Sequence, residues 1–153
     1  MKCDICPYLN NSKDVIFQTK YWQVNLGHNQ GYLGYSVAML KRHCPNLSEL
    51  TTEEWLDFSQ LVKKTENLFI KTFGASLLNW SCLMNGAYES KPANPHVHWH
   101  IYPRYERDVR FAEITFTDPE FGDHYFSHTQ RNINLPEEIL QKIVKALKDN
   151  LKD

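Results

Sequence analysis

The stretch Asn94 to Arg104, NPHVHWHIYPR, is the strongest constraint on the fold. Between Pro95 and Pro103, histidine alternates with an apolar residue: His96, Val97, His98, Trp99, His100, Ile101. Successive side chains on a strand point to opposite faces. The segment therefore reads as a strand with three imidazoles on one face and Val97, Trp99 and Ile101 on a core face. Neighbouring imidazoles then lie roughly 7 Å apart along the strand. Imidazole serves near neutral pH as metal ligand, proton carrier or nucleophile. A plain polar strand face is the alternative reading.

The flanking sequence supplies more strands and two helices. Val15 to Leu26 reads as two short strands around a turn near Thr19 and Lys20. Gly27 to Gly34 is a glycine-rich loop, and Tyr35 to Leu40 a buried strand closed by Lys41-Arg42-His43. Thr51 and Glu54 form a capping box for a long helix, with Trp55, Phe58, Leu61, Val62, Leu68 and Phe69 at helical spacing and Gly74 as its stop. Ser76 to Met84 reads as a strand, Asn85 to Pro95 as a loop, and 118–129 as irregular. Asn134 with Glu137 opens a last helix whose apolar stripe is Ile139, Leu140, Ile143, Val144 and Leu147.

At 153 residues the chain suits one domain and one core. Seventeen basic against eighteen acidic residues argue against broad binding to nucleic acid or to an anionic membrane. No apolar run approaches the roughly 20 residues that span a bilayer. The N-terminal MKCDICPYLNN lacks the basic-then-apolar pattern of a signal peptide, so a cytoplasmic location is expected. In a reducing compartment four cysteines point to metal or buried thiols, not disulfides. Cys3-Asp4-Ile5-Cys6 provides half of a tetrahedral metal site. A metal-free thiol pair is the alternative; a redox pair fits poorly, because no strand precedes the motif. Cys82, in an apolar strand, is expected to be buried.

HVHWHIYPR resembles the signature of the histidine triad (HIT) family, in which histidine alternates with apolar residues. GYSVAMLKRH, 34–43, is similar to the family strand that ends in Lys-Arg-His, and MNGAYESKPANPHVH, 84–98, to the Asn-x-Gly loop leading into the triad. The resemblance covers 3–104 and is nearest to bacterial members described as diadenosine tetraphosphate hydrolase-like. It implies a single α+β domain over 1–153, with a family core at 1–104 and a C-terminal extension at 105–153. It further implies an antiparallel sheet with one long and one C-terminal helix, as a homodimer. The implied activity is nucleotide hydrolysis or transfer at the α-phosphate of a nucleoside polyphosphate, dinucleoside polyphosphate or phosphoramidate, without an organic cofactor.

The same resemblance assigns residues. His98 attacks the α-phosphorus to form a nucleotidyl-imidazole, its other ring N–H donating to a backbone carbonyl, and His100 steadies the developing charge. Asn85 matches the family asparagine that contacts the phosphates, although a turn asparagine before Gly86 is an equal reading. Asn25 reaches the ribose. Structural zinc falls to Cys3, Cys6, His43 and His96 in a closed site. Pro92 and Ala93 stand where the family carries Gln and Ser/Thr, leaving Ser90, Lys91 or Asn94 as substitutes, with Lys91 suited to a polyphosphate. Tyr35 stands where a fourth family histidine is usual. FTDPEFGDHYFSH, with Phe116, Phe121, Tyr125, Phe126, His124 and His128, is either a flap over the nucleotide or a loop packed on the core. Two other functions remain: a metal-dependent hydrolase that uses the histidine row as ligands, and a non-catalytic nucleotide-binding protein.

Overall fold

The computed structural model describes residues 3–10, 13–125 and 131–151. Five antiparallel strands form one sheet: β1 (Val15–Gln18), β2 (Trp22–Leu26), β3 (Ser36–Leu40), β4 (Leu77–Ser81) and β5 (His98–Arg104), in the order β1-β2-β3-β5-β4. Two helices, α1 (Thr52–Phe73) and α2 (Glu137–Asn150), pack together against it. The fold is α+β, as the sequence implies.

The alternation in the histidine stretch divides the sheet. Val97 and Ile101 are fully buried on the helix side, and Trp99 stacks on Phe58 of α1 with ring centroids 5.1 Å apart. Phe58 also meets Trp22 at 4.9 Å and Trp80 at 5.9 Å, so one helical side chain gathers indoles from β2, β4 and β5. The other face carries polar rows in strict register. Asn25 pairs with Val37, Val37 with His100, and His100 with Ser81; one row on, Gln23 pairs with Met39 and Met39 with His98. The strand begins at His98, so His96 lies just ahead of it rather than within it.

Helix α1 starts and stops where its caps dictate. Thr51 Oγ1 accepts from the Glu54 N–H while the Glu54 carboxylate accepts from the Thr51 N–H, and Gly74 closes the helix in the left-handed region at φ 72°. Glu54 also takes a forked hydrogen bond from Arg42, at 2.6 and 2.8 Å. The first turn of α1 thus fixes Arg42, two residues past the end of β3 and next to His43. Trp55 departs from the expected stripe: it is 40% exposed, in a T-shaped contact with Phe58 at 6.2 Å.

Beyond β5 the chain makes a hairpin, β6 (Val109–Phe111) and β7 (Ile114–Phe116), that the sequence does not announce. Its two turn residues, Ala112 at φ 48° and Glu113 at φ 66°, occupy a conformation that usually selects Asn-Gly. The last helix begins at Glu137 behind Pro136, not under an Asn134 cap. Asn134 is engaged instead in a β-bridge with Asn29, and the neighbouring Ile133 carbonyl accepts from the Gln30 N–H at 2.8 Å. Among the described residues no helix is long and apolar enough to cross a membrane.

Candidate functional site

The polar face of the sheet holds two clefts that meet at His98 and His100. The first, of about 270 Å³, is lined by Asn25, Leu26, Gly27, His28, Tyr35, Val37 and Met39, with Ile5 and Tyr8 from the N-terminal segment. The second, of about 280 Å³, lies between Ile5 and the turn of 84–89, and Asp4 and Glu89 are its charged lining side chains. Both clefts are bounded by Ile5, His98 and His100. The triad therefore sits where a ligand spanning the two clefts would have its middle.

The three histidines have different duties. His98 is buried, and its Nδ1 lies 2.7 Å from the His96 carbonyl. A carbonyl can only accept, so Nδ1 carries the proton and Nε2 keeps its lone pair. Burial lowers the pKa of His98, which keeps the ring neutral. A neutral imidazole with a fixed, unprotonated Nε2 at a cleft junction can attack an electrophile.

His100 is fixed through Tyr35. The Tyr35 hydroxyl lies 2.7 Å from His100 Nδ1, and the two rings stack with an interplanar angle of 11°. Burial raises the pKa of Tyr35, so the phenol stays protonated, and the hydrogen bond of the His100 ring to the Leu83 backbone holds the ring proton on Nε2, so that Nδ1 accepts from the Tyr35 hydroxyl. One glycine makes room for this tyrosine, and another, just before it, for a core ring. A Cβ on Gly27 would stand 2.3 Å from the Tyr35 ring, and Gly34, at φ +82°, turns the chain beneath Phe69 just before it. Behind Tyr35 the rings continue in a stack, Tyr102 at 4.8 Å and Tyr125 a further 4.3 Å on.

Burial, then the adjacent His98, pushes the pKa of His100 down to about 4. The unfolded chain, with an ordinary histidine near 6.5, then takes up this proton first as pH falls. The contribution of His100 to stability is flat above about pH 6.5, is lost between about 6.5 and 4, and levels off below; the loss is at most about 3 kcal/mol. Comparing urea midpoints of wild type and His100→Asn across that range isolates the effect, because other titrating groups cancel. The stability of wild type should fall more steeply; parallel curves would contradict the assignment.

His96 lines the second cleft beside its two partners and also belongs to a third grouping. Its Nε2 lies 2.8 Å from the Leu40 carbonyl, and its Nδ1 is 3.4 Å from both Cys3 Sγ and Cys6 Sγ. His43 Nδ1 is 3.6 Å from Cys6 Sγ, and the four ligand atoms all lie within 4.8 Å of one another. A tetrahedral ion at metal–sulfur and metal–nitrogen distances of about 2.3 and 2.0 Å requires S···N edges of about 3.5 Å. The donor set fits a closed Cys2His2 site, with the Leu40 carbonyl holding the His96 tautomer as an outer-shell partner. Burial, then Cys3, pushes the Cys6 thiol up to about 11, a cost that a divalent cation relieves. His98 and His100 do not join this cluster, and no other group of three or more such side chains appears among the described residues.

The remaining expected residues are placed as follows. Asn25 is buried and lines the first cleft, but its amide is shared: Oδ1 accepts from Gln23 at 2.9 Å and Nδ2 donates to the Tyr8 carbonyl at 3.0 Å. Asn85 opens an exposed 3-10 turn beside the second cleft. Lys91 is exposed and lines neither cleft. Cys44 is buried against the Asn46 carbonyl outside the cluster, and Cys82 is half-buried rather than buried. Of the segment 116–128, Phe116, Asp118, Glu120 and Tyr125 are buried, so the described part is a packed loop; Phe126 and His128 lie outside the described residues. Ile5, Tyr8 and His28 are cleft residues without a sequence motif, although His28 Nε2 lies 3.0 Å from the carboxylate of buried Asp14.

The HIT domain model matches residues 9–107. The chain belongs to the HIT family. An uncharacterised HIT-like protein of Methanocaldococcus jannaschii is 29% identical over 123 residues, which cover 76% of this chain and 92% of that one. The asymmetrical bis(5'-nucleosyl)-tetraphosphatase of Schizosaccharomyces pombe is 29% identical over 87 residues, 57% of this chain and 47% of that protein, so the match spans about half of the yeast enzyme. A Zn-bound histidine triad family protein from Mycobacterium smegmatis shares the fold at TM-score 0.66 and 13% identity, over 99% of this chain and 94% of that one.

Proposed function

We propose that this HIT protein is a nucleotide hydrolase or transferase in which His98 Nε2 attacks the α-phosphorus of a bound nucleotide. The observation that carries the reading is the His98 Nδ1 to His96 carbonyl hydrogen bond, which leaves Nε2 unprotonated where the two clefts meet. The N–P bond forms as the bond from phosphorus to the leaving group breaks, and the departing electron pair is neutralised by a proton. Water then attacks the same phosphorus, frees His98 and releases the nucleoside monophosphate. Splitting one displacement into two lowers each barrier. His100 passes the hydrogen bond that its Nε2–H makes to the Leu83 backbone over to the phosphoryl oxygens as charge builds. Asn25 faces the ribose, and Asn85 reaches a leaving group from the loop edge; Lys91, which lines neither cleft, takes no part.

The nucleoside occupies the first cleft, against the apolar Val37 and Met39. The leaving group occupies the second, where Asp4 and Glu89 disfavour a polyphosphate and favour a neutral or amine group. Cys3, Cys6, His43 and His96 hold zinc in a closed site that supplies structural stabilisation. The S. pombe tetraphosphatase keeps diadenosine polyphosphates among the candidate substrates. A homodimer in the cytoplasm belongs to the same reading and rests on the family alone.

The test is AMP release from adenosine 5′-phosphoramidate and from diadenosine tetraphosphate. Faster release from the phosphoramidate is expected. No release from either, with AMP still bound, would move the chain to the binding-protein reading. Tyr35→Phe keeps the stack but removes the donor to His100. It should lower kcat about tenfold with KM nearly unchanged, and Tyr35→His should restore part of the loss. An unaltered kcat would show that Tyr35 only fills space.

A further inference from the structure

Residues 3–10 lie outside both sheets, as a short bend followed by a 3-10 turn over Cys6–Asn10. Two kinds of contact seat them on the polar face. Cys3 and Cys6 meet His96 and His43 in the four-residue cluster. The Tyr8 carbonyl accepts from Asn25 Nδ2 at 3.0 Å and from Gln23 Nε2 at 3.4 Å, and the Leu9 carbonyl accepts from the same Gln23 nitrogen at 3.4 Å. Between and just beyond the cysteines stand the side chains that close the clefts. Ile5 lines both of them, and Tyr8, 50% exposed, lines the first.

Resting on the nucleotide reading above, we propose that this knuckle is also the outer wall of the nucleoside cleft. Ile5 and Tyr8 touch the bound nucleoside, and metal and nucleotide therefore bind with positive linkage. The chemistry suits a nucleobase. Val37 and Met39 give an apolar floor, and a half-exposed phenol ring on a short turn can stack on the opposite face of a base. An aromatic base stacked this way gains on the order of 1–3 kcal/mol. The wall keeps its place when the four ligands are gathered on a cation. A ligand that needs the wall then favours the metal-bound state, and by thermodynamic reciprocity raises metal affinity by the same factor.

The experiment uses the full chain, zinc and AMP. Zinc affinity is measured at equilibrium by competition with a chromophoric chelator, with and without saturating AMP, and AMP affinity is measured by calorimetry on the zinc-loaded protein. AMP is expected to tighten zinc about tenfold, within the usual range of coupling between sites. The Ile5→Ala/Tyr8→Ala double variant should still take up one zinc per chain with wild-type affinity. It should bind AMP about tenfold more weakly and show no tightening of zinc by AMP. AMP binding with unchanged zinc affinity, or a double variant that binds AMP as wild type does, overturns the proposal while leaving the hydrolase reading intact. A wild-type chain that fails to bind AMP overturns both.

Discussion

His98→Ala is expected to lower kcat by at least about 10⁴-fold while AMP affinity changes by no more than a few-fold. The size follows from the role: without the nucleophile the covalent route is closed, and only positioning and charge stabilisation remain. The small change in affinity follows from the geometry. His98 stands at the junction of the clefts, whereas the first cleft's apolar surface comes from Ile5, Leu26, Val37 and Met39. The comparison also separates the reading from its rivals. A binding protein would show no rate to lose, and a hydrolase that used the histidine row as metal ligands would lose its activity promptly to a chelator with the fold intact. Single-turnover AMP release with equal rates in both proteins would remove His98 from the chemistry.

Arg104→Leu is expected to cost about 3–5 kcal/mol of stability. Arg104 is 2% exposed, and its guanidinium spends all its donors. Nε and Nη2 fork onto Asp118 at 2.6 and 3.1 Å, Nη1 donates to Asn79 Oδ1 and the Asp123 carbonyl at 2.9 Å each, and Nη2 also reaches the Glu120 carbonyl at 2.6 Å. Removing it leaves the buried Asp118 carboxylate without its cation, with only the Tyr105 N–H beside it, and withdraws a donor from the Glu120 and Asp123 carbonyls. The cost of desolvating the intact pair is already met by those partners, so the loss measures an uncompensated charge rather than the worth of one ion pair. Arg104→Lys should restore little, because an ammonium cannot make the fork. The same loop carries Tyr125 onto Tyr102, and Tyr102 onto Tyr35, so the variant should also loosen His100. Denaturant midpoints for the three proteins decide the matter; a loss below about 1 kcal/mol would contradict it.

What was legible in the sequence was what local pattern determines. The capping box at Thr51 and Glu54 and the glycine at 74 bound the long helix because they satisfy its orphan donors and acceptors within a few residues. The alternation at 98–101 divides the sheet faces because strand geometry leaves no other option, whereas His96 lies ahead of the strand. Cys3, Cys6, His43 and His96 come together, although the sequence offered that grouping only through the family resemblance. Non-local partners were not legible. Arg104 closes the triad signature, but its role depends on Asp118 and on backbone carbonyls of a loop with no pattern of its own. The hairpin at 109–116 was missed because Ala112 and Glu113 sit in a turn that usually advertises itself by Asn-Gly. Asn134 looked like a helix cap and is a bridge residue, because its backbone partner, Asn29, lies over a hundred positions earlier. Tyr35 read as the loss of a histidine; in space it donates to His100.

The central claim is that a nucleotide becomes bonded to His98. The most direct measurement is the intact mass of the protein, quenched within the first turnover of adenosine 5′-phosphoramidate, followed by mapping of the adduct. A transient mass increase of one adenylyl group, acid-labile as a phosphorus–nitrogen bond should be, located on the peptide that contains His98 and absent from His98→Ala, is the predicted result. AMP release with no adduct on His98 at any quench time, or an adduct that persists in His98→Ala, would contradict the account.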